Sequence, residues 1–165
     1  MILARGLAAG LCLLALATPA TAAGPCLQPA ERAAFQVQAL QSMLMVAALQ
    51  CRQEDAYNAF VGRFRPELIG AHRAVSAHFR RAGSGVRGMD EHVTGLANAH
   101  SQDGIRQGAQ FCANVAPLWR QVMALGSGAD LARLSEEHRI TQIHRAAACP
   151  APARPAGQAV ASAGR

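Results

Sequence analysis

Cysteines at positions 26, 51, 112 and 149 constrain this chain of 165 residues more than any other feature. A fifth, Cys12, lies in the opening MILARGLAAGLCLLALATPATA, where Arg5 precedes an apolar core from Leu7 to Ala17 and the segment ends in the small residues Ala20-Thr21-Ala22. That is the pattern of an export signal cleaved after Ala22, so residues 1–22 are read as removed and Cys12 with them. The apolar core is too short for a membrane span, which needs about 20 apolar residues. Leu11 before Cys12 and Pro25 before Cys26 disfavour lipid attachment at either cysteine. An even set of cysteines in an exported chain points to two disulfides formed in an oxidising compartment, periplasmic or extracellular.

Around these cysteines the apolar residues recur at helical spacing. Ala30, Ala33, Val37, Leu40, Leu44, Ala47 and Cys51 alternate three and four apart, which predicts a helix over 29–51 with Pro29 and Glu31 in its first turn. Met43 to Leu49 is apolar on every face, so neighbours are expected on more than one side. Tyr57, Phe60, Val61 and Phe64 continue the spacing until Pro66, which predicts an extended Arg65 and a new helix burying Leu68, His72, Val75 and Phe79. A short helix is expected from Met89 to about His100, with a break at Ser101 to Gly104. From Ile105 a longer one is expected through Phe111, Val115, Leu118, Val122 and Leu125, continuing past Pro117 as the partner of the first. Ser127 and Asp130 read as a capping pair for a last helix through Leu131, Leu134 and His138 to about Ala148. No segment alternates as a strand would. The expectation is an all-α single domain of four or five antiparallel helices over residues 23–149, followed by a disordered Pro/Ala-rich tail over 150–165.

Helix geometry prunes the disulfide pairings. A helix from Pro29 to Cys51 is about 33 Å long, whereas Cys26 reaches back only about 10 Å, and bridged Cα atoms lie within about 7 Å. Cys26 with Cys51 is therefore excluded. Of the two remaining sets, the nested one, Cys51 with Cys112 and Cys26 with Cys149, is favoured over the crossed one. Cys51 and Cys112 lie on the apolar stripes of the two longest amphipathic segments, and Cys26 and Cys149 flank the helical region.

Charge and spacing set several chemistries aside. All sixteen basic residues are arginine, against ten acidic ones, but they are scattered instead of forming the dense stripe that nucleic acid requires. Of the six histidines, the nearest pairs are His72 with His78 and His138 with His144, six apart and on different helical faces, so no metal site follows from local spacing and no cofactor is expected. Met43 and Met45 diverge on a helix and read as core filler. The carboxylate pairs, such as Glu54-Asp55, are adjacent and suit solvent better than acid/base work. The candidate binding cluster is Tyr57, Asn58, Arg63 and Arg65, with Phe60 as an aromatic floor, for an envelope protein or an anionic ligand. The plainer expectation for the same residues is a packed helical corner.

The strings LQSMLMVAALQCRQEDAYNAFVGRFRPEL and FCANVAPLW resemble a family of small exported alphaproteobacterial helical proteins of no established function, over about Cys26 to Leu125. The Leu-Met-Val-Ala-Ala-Leu-x-Cys and Tyr-Asn-x-Phe-Val elements are its specific parts. Such sequences are sometimes labelled S-adenosylhomocysteine hydrolase, a larger enzyme built on a dinucleotide-binding sheet, and this chain has neither the length nor the glycine fingerprint for it. The resemblance implies an exported helical fold and supplies no catalytic residues. A non-enzymatic binding or protein-interaction module of the envelope is the leading expectation. A small enzyme with a site assembled from dispersed residues such as His72, His100 and Asp103 is the alternative.

Overall fold

Six helices follow one another: α1 (Pro29–Cys51), α2 (Glu54–Arg63), α3 (Arg65–Arg81), α4 (Gly85–Gln107), α5 (Gln110–Ala124) and α6 (Gly128–Glu137). The structure, a computed structural model, describes residues 26–150. The expected export signal and almost all of the expected tail lie outside the described residues. The protein is all-α, a single domain, and its extended pairing among the described residues is one isolated bridge between Leu27 and Ala148.

The first helix has the expected bounds because its sequence favours both ends. Pro29 needs no N–H partner in the first turn, and the Glu31 carboxylate accepts the Gln28 N–H at 3.0 Å. At the other end Arg52 turns left-handed with φ 55, and Gln53 N–H donates to the Ala48 carbonyl at 2.8 Å. Phe35, Val37, Ala39, Leu40, Leu44, Val46, Ala47 and Ala48 are all buried, so α1 is covered on more than one side as its apolar middle predicts. It packs most extensively against α3 and α6, then against α4. The expected partner, α5, is a minor one. Its own stripe of Phe111, Val115, Leu118, Trp119 and Val122 is buried, and the helix continues through Pro117.

Both disulfides of the nested set are present. Cys26 and Cys149 have Cα atoms 4.8 Å apart, and Cys51 and Cys112 have theirs at 5.6 Å. Cys112 is nonetheless exposed and Cys51 half-buried, so this bridge ties α1 to α5 at the surface and not through the core.

The other departures have local causes. The helix count is six because Phe64 alone, at φ −105 and ψ 22, separates α2 from α3. Arg65 is therefore helical and not extended, with Pro66 still in the first turn where its missing donor costs nothing. No break occurs at Ser101 to Gly104, since Asp103 is taken up by Arg106 and by the Thr141 hydroxyl at 2.6 Å. Gly108, at φ 55, is the real stop of α4. The last helix ends eleven residues early relative to the expected Ala148, at Glu137. Arg139 takes a left-handed φ of 51, its N–H donates to the Glu136 carbonyl and that of Ile140 to the Ser135 carbonyl, both at 3.0 Å, which is a Schellman stop. Residues 140–149 then run back without helix to Leu27, where Leu27 N–H donates to the Ala147 carbonyl at 2.8 Å and Cys149 N–H to the Leu27 carbonyl at 2.9 Å.

Candidate functional site

A groove opens where one face of α1 meets α2, α3 and α4. On α1, Gln38, Gln41, Ser42 and Met45 follow the spacing that aligns side chains along one helical face, and on α3 Arg65, Ile69, His72 and Arg73 do the same. Tyr57 and Val61 of α2 and Val93 and Leu96 of α4 complete its walls. Two adjoining hollows, about 230 and 450 Å³, share Gln41 and His72 and so form one depression. The size suits a small molecule. Ile69 and Val93 stay 41% and 47% exposed, an open apolar surface that the described residues do not cover. Gln38 is buried, and its Oε1 has no hydrogen-bond partner among the described residues. Leaving such an acceptor unpaired costs about 1 to 3 kcal/mol. Among the described residues no carboxylate lines the groove, whereas Arg65 and Arg73 stand along one end of it.

The predicted cluster is split by the fold. Tyr57 and Arg65 line the groove. Arg63 does not: its Nη2 donates to the Leu125 carbonyl at 2.9 Å, and its guanidinium lies 5.4 Å from the Phe64 ring centre, so it caps the corner between α2 and the end of α5. Asn58 is exposed and outside the groove lining. Phe60 is buried, 6.2 Å from Tyr57 and 5.6 Å from Phe64, as the packed-corner expectation has it. His72 was placed on the buried stripe of its helix, but Leu68, Ala71, Val75 and His78 form that stripe, and His72 is exposed on the groove wall. Leu68 and Val75 are buried as expected, and the inward positions beside them fall on Ala71 and His78.

The dispersed enzymatic set is also divided. His100 is 1% exposed and anchors a hydrogen-bonded chain. Its Nε2–H donates to the Thr141 carbonyl at 3.1 Å, which leaves Nδ1 bare to accept the Ser42 hydroxyl, also at 3.1 Å. Thr141 in turn donates to Asp103 at 2.6 Å. His100 and Asp103 are thus joined through Thr141, and His72 stands apart in the groove. A serine facing a bare imidazole nitrogen is half of a nucleophilic pair. Two features argue for bracing instead. Burial holds the His100 ring below its ordinary pKa, which weakens it as a base, and the backbone N–H groups around Ser42 are spent inside α1, leaving none to stabilise an oxyanion.

A second assembly escaped the sequence altogether. His78 of α3, His92 of α4 and His144 of the returning segment surround the fully buried Phe35, with ring centres 5.3, 5.0 and 4.7 Å from it. They border a hollow of about 340 Å³. His92 Nε2 and His144 Nδ1 are buried without partners. Burial, then the neighbouring imidazoles His144 and His78, push His92 down to about 4. His144 is lowered by burial and by His78, against the Ala146 carbonyl. No spacing links the three residues, since each comes from a different element. They do not share an ion: among the described residues no group of three or more His, Cys, Asp or Glu is placed to hold a metal. Nor, among the described residues, is any helix long and apolar enough to cross a membrane.

Comparison with family models, curated proteins and solved structures finds no match for this chain.

Proposed function

We propose that the chain is an exported binding protein of the cell envelope, periplasmic or secreted, whose groove takes a small amphiphilic anion: an apolar body ending in a carboxylate or phosphate. The observation that carries this is the sorting of the lining residues. Met45, Val61, Ile69, Val93 and Leu96 supply apolar wall, Arg65 and Arg73 supply positive charge, and among the described residues no lining carboxylate opposes an anion. Arginine suits the role because its planar donors match carboxylate and phosphate oxygens. Tyr57 and Gln41 give a ligand polar contacts along the lining. The two disulfides support the expectation of an oxidising compartment, and a braced scaffold keeps the groove preformed so that little ordering cost falls on binding.

Calorimetric titration with octanoate and with 1-octanol tests the proposal, since the two share an alkyl chain and differ in charge. The expected result is octanoate binding at least tenfold tighter than the alcohol, with the gap closed in an Arg65→Gln/Arg73→Gln variant. Equal affinities for acid and alcohol, or no binding of either, overturn it. So does cross-linking in periplasmic extract that places a protein partner over Ile69 and Val93.

A further inference from the structure

The returning segment Ile140–Cys149 is fastened at its two ends and held in its middle by histidine. At one end the Thr141 carbonyl accepts from His100 and the Thr141 hydroxyl donates to Asp103. At the other, Ala147 and Cys149 bond to Leu27, and Cys149 is disulfide-linked to Cys26. Between them His144 lies against Phe35, 4.7 Å between ring centres, and Ile143 leans over Gly95, where an added Cβ would meet Ile143 Cδ1 at 2.6 Å. Gln142 adds a hydrogen bond to Gln36 at 2.9 Å.

From this arrangement we infer that Ile140–Cys149 is an acid-released strap: protons taken up by His92 and His144 drive its middle off Phe35 while Thr141 and Cys149 keep both ends attached. Neutral rings pack against Phe35, but charged ones repel each other and lose hydration in a buried, aromatic hollow. The groups facing the cluster do not compensate for that charge. From α1 come Glu31 and Arg32, and from α3 His78 and Arg81; Glu31 is already engaged by Arg81 and by the Gln28 N–H, with His78 Nδ1 at 3.6 Å. From α4 comes Glu91, paired with Arg87 at 3.0 Å and exposed, and the strap itself brings Arg145. Two carboxylates, both already paired, thus face three imidazoles and several arginines. The lowered affinities of His92 and His144 for protons agree with this packing. The Thr141 end survives acid because a proton on His100 Nδ1 leaves its Nε2–H bond to Thr141 in place, and the Ser42 hydroxyl can rotate to accept. Release opens the 340 Å³ hollow and uncovers Phe35.

Two-dimensional NMR of the full mature chain, titrated from pH 7.5 to about 3.5, tests the strap. Expected are cross-peaks between the His144 and Phe35 rings at neutral pH that vanish on acidification, with the amide protection of α1 and the Leu27 to Ala147 contacts retained. In His144→Phe the substituted ring stays on Phe35 throughout. The inference is overturned if the wild-type ring contacts persist to the lowest pH. It is equally overturned if they vanish together with α1 protection, since the whole fold then melts, or if the phenylalanine variant releases over the same range.

Discussion

Arg81 grips Glu31 with both arms of its guanidinium, Nη1 on Oε1 and Nη2 on Oε2, the latter at 2.9 Å. Glu31 stands in the first turn of α1 and Arg81 in the last turn of α3, so the pair joins the positive end of one helix dipole to the negative end of another. The Arg81 hydrogen bonds outweigh burial and, with the Gln28 N–H, hold the Glu31 carboxyl down at about 2.

A folded value below the ordinary 4.5 means that this carboxylate's contribution is complete above pH 4.5 and is lost as pH falls toward 2. Glu31→Gln keeps the shape and removes the charge. At pH 7 it is expected to be about 1 to 3 kcal/mol less stable in urea melts, and its stability should fall less than that of the parent between pH 4.5 and 2. Equal stability at neutral pH rules out the joint.

The Cys51–Cys112 bridge closes a loop with a sequence separation of 61, and a loop of that length is worth about 4 kcal/mol in the chain-entropy model. Because α1 packs mainly on α3, α6 and α4, a Cys51→Ala/Cys112→Ala variant is expected to lose about that much stability while keeping its far-ultraviolet helical signal. Collapse of the helical signal on removing this surface bridge would mean that α5 holds the bundle together, contrary to the packing.

What the sequence made legible follows how local each signal is. Pro29 and Glu31 announced the start of α1, and Ser127 announced that of α6, whose side chain does accept the Asp130 N–H at 3.2 Å. The long first helix forbade only Cys26 with Cys51; the nested pairing was favoured because Cys26 and Cys149 flank the helical region, and the apolar-stripe argument for Cys112 fails, since that residue is exposed. Helix ends were less legible. The stop of α3 uses Gly83 at φ 79, a residue that advertises itself, but α1 and α6 stop on Arg52 and Arg139, which have no preference for the left-handed region. An unannounced stop at Arg139 turned an expected helix into the strap and thereby brought His144 to Phe35. In the groove, Tyr57 and Arg65 were legible as neighbours of a kink. Gln38, Ser42 and Met45 were not, because polar residues on a helix read as solvated until the facing helices are placed.

Arg139 therefore offers a direct check. Left-handed backbone costs a residue with a Cβ about 1 kcal/mol that glycine avoids, and the Schellman bonds of Arg139 and Ile140 need only main-chain atoms. Arg139→Gly is expected to raise stability by up to about 0.5 kcal/mol after the greater freedom of the unfolded chain is subtracted. A loss of stability in urea melts would show that the arginine side chain, not the turn, holds this end.

His92 provides the complementary pH window. Its folded value, pushed by burial and by His144 and His78 from 6.5 down to about 4, means that the unfolded chain takes up a proton that the native state refuses. Stability is therefore whole above pH 6.5 and declines as pH falls toward 4, on the same acid limb as Glu31 but in a window about two pH units higher. The drop from 6.5 to about 4 corresponds to about 3 kcal/mol, less whatever is recovered when the strap opens and lets the proton in. His92→Phe keeps a flat ring beside Phe35 and removes the titration. Urea melts at pH 7 and 4.5 are expected to differ in the wild type by more than twice as much as in the variant. Parallel behaviour of the two proteins would transfer the acid sensitivity to the other rings lowered by burial, His144 beside Phe35 and His100 beside Thr141.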